Sequence, residues 1–312
     1  MSADLWVLGN LTTDDLVLAD GTTAMGLSGG NAIFAAIGGR LWSKRVGLAA
    51  RIGPDYPQSH VRALEAAGIQ LALSPTTAPS IHNWALYESA DRRRFINWLD
   101  SGTHLEQSLL PAEVPTEAQA ARVCHVAPMP LEVQSKLVRH LARGTTLVSL
   151  DPHDEYVRAS EARLLQLLGQ VDLFLPSRQE ATLLFGRDAP EDAALAFAKC
   201  GPQVVVIKLG AEGSLAYGPE LERPVHVPAV SVNAIDPTGA GDAFCGAFCV
   251  SYRRQPVGNV LEAACCATVA ASFVVERRGA LAVLPFDCSA AEQRLERLTK
   301  ELNLPCAWTN AS

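Results

Sequence analysis

Short apolar runs alternating with stretches of helical periodicity recur along this chain, and no other feature constrains its fold as strongly. A strand is expected at Leu5–Leu8, a helix of small residues over Asn31–Trp42, and a strand at Val46–Ala50. The pairs then repeat: helix Gln58–Ala67 before strand Ile69–Leu73, strand Val123–Val126 before helix Leu131–Ala142, and strand Thr146–Leu150 before helix Ser160–Leu168. The runs Leu173–Leu175 and Val204–Lys208 are short and apolar throughout, as strands buried on both faces must be. Alternation of this kind specifies an α/β fold with a mostly parallel central sheet and helices on both faces. Two segments, about 15–28 and 81–98, break the pattern. In the second, Ile81–Tyr87 and Phe95–Trp98 flank the polar turn Glu88–Arg94 and predict a β-hairpin, and the two segments together are expected to form a small β lid. With no internal repeat and no low-complexity linker, residues 1–312 are expected to form one domain, ending in a loose tail at Pro305–Ser312.

Composition narrows the function classes. A net charge of −7 and a pI near 5.5 provide no electrostatic footprint for nucleic acid or an anionic membrane. No apolar run approaches the about 20 residues that span a bilayer, and the first residues lack a basic segment followed by an apolar one. A cytoplasmic location is therefore expected. The eight cysteines include no C-x-x-C pair and no matching histidine spacing for zinc. Cys245 and Cys249, one helical turn apart, read as core packing rather than as a metal or redox pair.

Chemistry concentrates in Asn233-Ala-Ile-Asp236-Pro237-Thr238-Gly239-Ala240-Gly241-Asp242-Ala243-Phe244, a small-residue loop that runs into an apolar, Ala-rich segment. Gly239, Ala240 and Gly241 carry almost no side chain, so their backbone N–H groups can approach an anion at the positive end of the following helix. A carboxylate at Asp242 would repel a phosphate there unless the chemistry needs a proton acceptor. An anion nest beside a base points to phosphoryl transfer.

The run Asp236-Pro-Thr-Gly-Ala-Gly-Asp242-Ala-Phe resembles the C-terminal signature of the ribokinase-like (PfkB) carbohydrate kinases. The resemblance extends through Leu8-Gly9-Asn10 with Asp14, Gly29-Gly30, Ile52-Gly53-Pro54-Asp55, Leu150-Asp151-Pro152, and Val206-Ile-Lys208-Leu-Gly210 with Gly213, in family order along nearly the whole chain. It implies ATP and Mg²⁺ as cofactors, Asp242 as the catalytic base and Gly239–Gly241 as the anion hole. It also implies nucleotide contacts at Lys208, Gly210, Glu212, Gly213 and Ser177, and a K⁺ site at Asp236. Ser177-Arg-Gln-Glu180 stands where the family carries Asn-x-x-Glu, whose glutamate organises magnesium through water. The same four residues spell a helix capping box. The adenine is expected between the Lys208–Ser214 turn and a helix over Asn259–Val275.

Asp14, Gly29, Gly30 and Asn31 form the expected acceptor end, a carboxylate and an amide suited to neighbouring hydroxyls. The asparagine common in the family falls at Phe34 here, which leads away from ribose toward polyols, cyclitols or other sugars. His153 follows Asp151-Pro152 where relatives often carry asparagine. Arg92, Arg93 and Arg94 read as a solvated turn rather than a phosphate site. Gly26-Leu-Ser28-Gly-Gly30 fits G-x-S-x-G but lacks a preceding strong strand. The small-molecule acceptor is thus expected to be a sugar or polyol. A nucleoside is the alternative if Trp84, Tyr87, Phe95 and Trp98 stack a base, and a non-catalytic binding module is the third reading. Lids of this family can pair into homodimers, which nothing in this chain decides.

Overall fold

The apolar runs do become strands buried on both faces. The computed structural model describes residues 2–87, 93–144, 146–252 and 259–304; residues 88–92 of the lid turn and the tail from Pro305 lie outside the described residues. The strands are β1 (Leu5–Leu8), β2 (Thr12–Val17), β3 (Thr23–Gly29), β4 (Val46–Ile52), β5 (Gln70–Pro75), β6 (Ile81–Tyr87), β7 (Arg93–Asn97), β8 (Val123–Val126), β9 (Leu147–Leu150), β10 (Leu173–Phe174), β11 (Val204–Lys208), β12 (Ser214–Tyr217) and β13 (Val225–Val227). Nine of them form one sheet in the order β13-β12-β11-β10-β9-β8-β1-β4-β5, parallel from β11 to β5, with β12 and β13 antiparallel at one edge. This is the ribokinase-like architecture.

Alternate residues of each strand feed two layers. Leu5, Val7, Leu48, Ala50, Val204 and Val206 pack under the helices Asn31–Trp42, Ala240–Tyr252 and Val260–Val275. Trp6, Leu8, Ala49, Val126, Leu150 and Ile207 pack under the opposite layer, which includes the helices Leu131–Leu141 and Pro190–Lys199. The helices Asp154–Ala159 and Pro190–Lys199 and the strands β12 and β13 have no counterpart in the sequence expectations. β12 and β13 have four and three residues, too short for period-2 patterning to register.

The lid is a four-stranded sheet in the order β3-β2-β6-β7. Residues expected as one excursion form two strands, and β2 begins at Thr12, so Asp14 lies inside the lid and faces Asn83 of the parallel strand β6.

One packing contact positions the site. The Asn31–Trp42 and Ala240–Tyr252 helices cross so closely that a Cβ added to Gly38 would land on the Ala243 carbonyl oxygen, and one added to Gly246 would land on the Ala35 carbonyl oxygen. Glycine is required at both points because backbone meets backbone. Gly246→Ala therefore tests the contact by sign. Helix propensity alone would stabilise by about 0.5–1 kcal/mol, whereas overpacking costs about 1–3 kcal/mol. Urea unfolding is expected to show a net loss of about 1–2 kcal/mol, and a gain would mean that the two helices do not meet there.

Candidate active site

The helix Ala240–Tyr252 opens directly from the small-residue loop. Gly239 takes φ 77°, a left-handed turn at which any side chain would be strained, and a Cβ there would collide with the Phe34 ring. The turn lays the loop on Phe34, which is buried. Gly241 is exposed, and its N–H and that of Asp242 belong to the first helical turn, where no intrahelical acceptor exists. Asp242 is half-buried in the same turn. Burial pushes its carboxyl up to about 6, against the pull of the Lys208 and His153 charges.

Upstream, Asp236 folds the loop around Pro237: its Oδ1 accepts from Thr238 N–H at 2.9 Å. The same oxygen accepts from the Tyr87 hydroxyl at 2.6 Å, and that hydroxyl lies 3.0 Å from Thr238 Oγ1. Tyr87 ends lid strand β6, so this contact ties the lid to the Asp236–Asp242 loop. Asp236 is only 3% exposed, and its Oδ1 is shared by the two donors.

Lys208, expected at the nucleotide, ends β11. Its ammonium turns inward, donating to Asp151 Oδ2 at 2.6 Å and to Cys245 Sγ at 3.4 Å. The neighbouring turn is built by side-chain pairs. Ser177 and Glu180 form the reciprocal cap, with Ser177 N–H donating to Glu180 Oε2 at 2.6 Å and Glu180 N–H donating to Ser177 Oγ at 3.3 Å. Glu212 is held by Arg178 through two hydrogen bonds of 2.5 and 2.9 Å. Gly210 and Gly213 close the turn with positive φ. Ser177 and Lys208 are bridge partners, so this corner adjoins the strand that delivers Lys208.

At the acceptor end, Asp14 Oδ1 accepts from Thr12 Oγ1 at 2.9 Å and Asn83 Nδ2 at 3.2 Å, while Oδ2 stands over Gly29, where a Cβ would strike it. Burial pushes this carboxyl up to about 6 against those two hydrogen bonds. The Tyr56 hydroxyl is buried and has no hydrogen-bond partner among the described residues. Burial and the Asp14 charge push its pKa up. Asn31 is engaged at both ends: Oδ1 accepts from Asn10 N–H at 2.9 Å, and Nδ2 donates to the Pro128 carbonyl at 2.6 Å. His104, which no sequence pattern marks, places Nδ1 3.4 Å from Asn10 Oδ1. Its pKa is lowered by burial and by the His153 charge. His153 caps the Asp154–Ala159 helix by accepting from Glu155 N–H. The Ser28 hydroxyl accepts from Leu281 N–H.

The lid aromatics divide between two faces. Ile81, Asn83, Ala85 and Tyr87 point inward and are buried. His82 and Trp84 lie on the opposite face, where Trp98 stacks on both and, with His82, hydrogen-bonds Asp15 Oδ2. Asn83, Tyr87 and Asp14 thus share the inner face, and the Trp84–Trp98 stack does not.

Comparison with known proteins agrees with this geometry. The model of the pfkB family of carbohydrate kinases matches residues 12–287. The chain is 30% identical over 260 residues to a cytidine kinase of Thermococcus kodakarensis, covering 80% of this chain and 89% of that protein. It is 26% identical over 261 residues to a nucleoside kinase of Methanothermobacter thermautotrophicus, covering 83% and 82%. In fold it is similar to a ribokinase II structure from E. coli in complex with ATP and Mg²⁺, with a TM-score of 0.78 at 21% identity over 95% of this chain and 99% of that one. No helix among the described residues is long and apolar enough to cross a membrane.

The Tyr87–Asp236 bond ties lid to loop through one hydroxyl oxygen, which a single substitution removes. Tyr87→Phe leaves the buried Asp236 carboxylate without that donor, and a loss of about 1–3 kcal/mol in urea unfolding is expected. Stability unchanged within a few tenths would show that the hydroxyl does not hold the lid.

Proposed function

The chain belongs to the pfkB family of carbohydrate kinases, and from that premise we propose that this phosphotransferase moves the γ-phosphoryl group of ATP to a hydroxyl of a sugar or polyol. The observation that carries this is the placement of Asp242 in the first turn of the helix opened by Gly239–Gly241, with Phe34 connecting that turn to the helix that begins beside Gly29 and Asp14. In this reading residues 1–312 make one kinase domain, with 15–28 and 81–98 as its lid.

Each residue then has a defined task. The N–H groups of Gly241 and Asp242 and the turn at Gly239 bind the transferring phosphate, an open backbone cradle of the kind anions favour. Asp14, oriented by Thr12 and Asn83, accepts hydrogen bonds from acceptor hydroxyls through the oxygen above Gly29. Asp242 orients the attacking hydroxyl and takes its proton late, since a carboxylate is far too weak to ionise an alcohol in advance. The Lys208–Ser214 turn and the Val260–Val275 helix flank the nucleotide. Mg²⁺, when bound with ATP, neutralises phosphate charge. Glu180 fits a water-mediated role toward it, because the cap occupies only Oε2.

A nucleoside acceptor is the second reading. Similarity to cytidine and nucleoside kinases favours it. The sugar moiety would then occupy the Asp14 pocket, and the base would need partners other than Trp84 and Trp98, which stack on the far face of the lid.

ADP release measured with Mg²⁺-ATP across sugars, polyols, cyclitols and nucleosides tests both readings. Turnover on one class is expected, and Asp242→Asn is expected to lower kcat by about 10²–10⁴. Activity on a nucleoside but on no free sugar would select the second reading. The acceptor proton is taken by the ionised carboxylate, so activity is present above the Asp242 pKa and lost below it. At saturating substrates, where acceptor hydroxyls hold Asp14 ionised, kcat is expected to fall as pH drops through about 6. A flat profile from pH 5 to 8 would argue against Asp242 as the base.

A further inference from the structure

Beneath the anion loop lies a cluster that phosphate binding and proton transfer do not by themselves explain. Lys208 ends β11 with its side chain 13% exposed, and Asp151 follows β9 with its side chain 3% exposed; the two meet at 2.6 Å. Cys245, one turn along the loop's own helix, closes the triangle: its Sγ lies 3.4 Å from the ammonium and 3.3 Å from Asp151 Oδ2. Burial holds the Cys245 thiol well above its ordinary range, so the thiol stays neutral and Asp151 is the counter-charge. A Cβ on Gly241 would sit 3.7 Å from Lys208 Nζ, so the ammonium lies directly under the exposed backbone of the nest. Burial, the strongest single influence, lowers the Lys208 pKa, but the Asp151 carboxylate, its hydrogen bond and the neighbouring groups together outweigh it and the ammonium stays charged. Asp151 keeps a second oxygen buried with no hydrogen-bond partner among the described residues, an unusual arrangement for a purely structural pair.

Replacing a buried ion pair with apolar side chains is often neutral or stabilising, so stability is a weak reason for these two charges. The loop above them, however, must hold Asp242 and a phosphate side by side. Resting on Asp242 as the proton acceptor, the geometry points to Lys208 as a positioning residue for phosphoryl transfer. Its ammonium, anchored under Gly241 by Asp151 and Cys245, supplies the positive charge that makes carboxylate and phosphate compatible in one helical turn. The charges facing Asp242 come from four elements: Lys208 at the end of β11, His153 before the Asp154–Ala159 helix, Glu180 in the Arg178–Phe185 helix, and Asp151 after β9. Lys208 and His153 favour its ionised form, and Glu180 and Asp151 oppose it.

This arrangement predicts shifts of opposite sign, which a merely structural role would not produce. The acid limb of kcat against pH is measured for the wild type, Lys208→Met, Lys208→Arg and Asp151→Asn, each checked for native near-UV circular dichroism. Removing the positive charge in Lys208→Met is expected to move the limb up by about one pH unit or more. Lys208→Arg restores it toward the wild-type position, and Asp151→Asn, which removes a negative charge, moves it down. Limbs that stay within about 0.3 unit, or that move the same way in Lys208→Met and Asp151→Asn, overturn the inference. Should Lys208→Met not fold, Asp151→Asn decides by the sign of its shift and Lys208→Arg by whether its limb stays in place. Asp242→Asn separates the two layers of argument. Wild-type turnover in that variant removes the proton-acceptor reading itself, whereas loss of turnover with unmoved limbs elsewhere removes only the role of Lys208.

Discussion

The backbone contact between the Asn31–Trp42 and Ala240–Tyr252 helices is the constraint on which the rest of the structure depends. Gly38 and Gly246 let each helix reach a carbonyl oxygen of the other, and no larger residue leaves room. That depth seats Phe34 under Gly239, fixes the left-handed turn, and aims the first N–H groups of the second helix out of the protein. The first helix begins just after Gly30, beside the glycine that stands under Asp14. One packing contact thus relates the two halves of the candidate site, the Gly239–Asp242 turn and the Asp14–Gly29 pair.

A second theme is charge held where water is scarce. Asp14, Asp151 and Asp242 are all pushed upward by burial, and Lys208 is the buried cation among them. In the proposed mechanism Asp242 alone takes the proton, and a carboxyl raised toward neutrality suits a group that gains and releases one. The lid adds a different element. Tyr87 reaches from β6 to Asp236, so the small sheet and the Asp236–Asp242 loop share a hydrogen bond. Lid and loop are therefore mechanically connected through a carboxylate that is almost fully enclosed.

Much of the architecture was legible in order. The helix at Asn31–Trp42 and the strands at Leu5–Leu8, Val123–Val126 and Val204–Lys208 fall where apolar runs place them, because burial on both faces of a parallel sheet writes itself into composition. The capping box at Ser177 and Glu180 was equally readable, since its two bonds span only three residues. Strands β12 and β13 escaped because runs of three or four residues carry no usable period. His104, Asn83 and Tyr56 escaped for another reason: each is ordinary in its own neighbourhood and gains its place only from chain that is distant in sequence.

The sequence by itself determined the chemistry class. The Gly239–Asp242 run, its aspartate and the strand–helix alternation are local patterns, and local patterns persist whatever surrounds them. The tertiary structure alone decided which way the side chains turn. It sent the Lys208 ammonium inward to Asp151, placed the Trp84–Trp98 stack on the far face of the lid, and joined Tyr87 to Asp236. These outcomes depend on contacts between residues 14 to 149 positions apart, and on a desolvation that follows from the assembled layers.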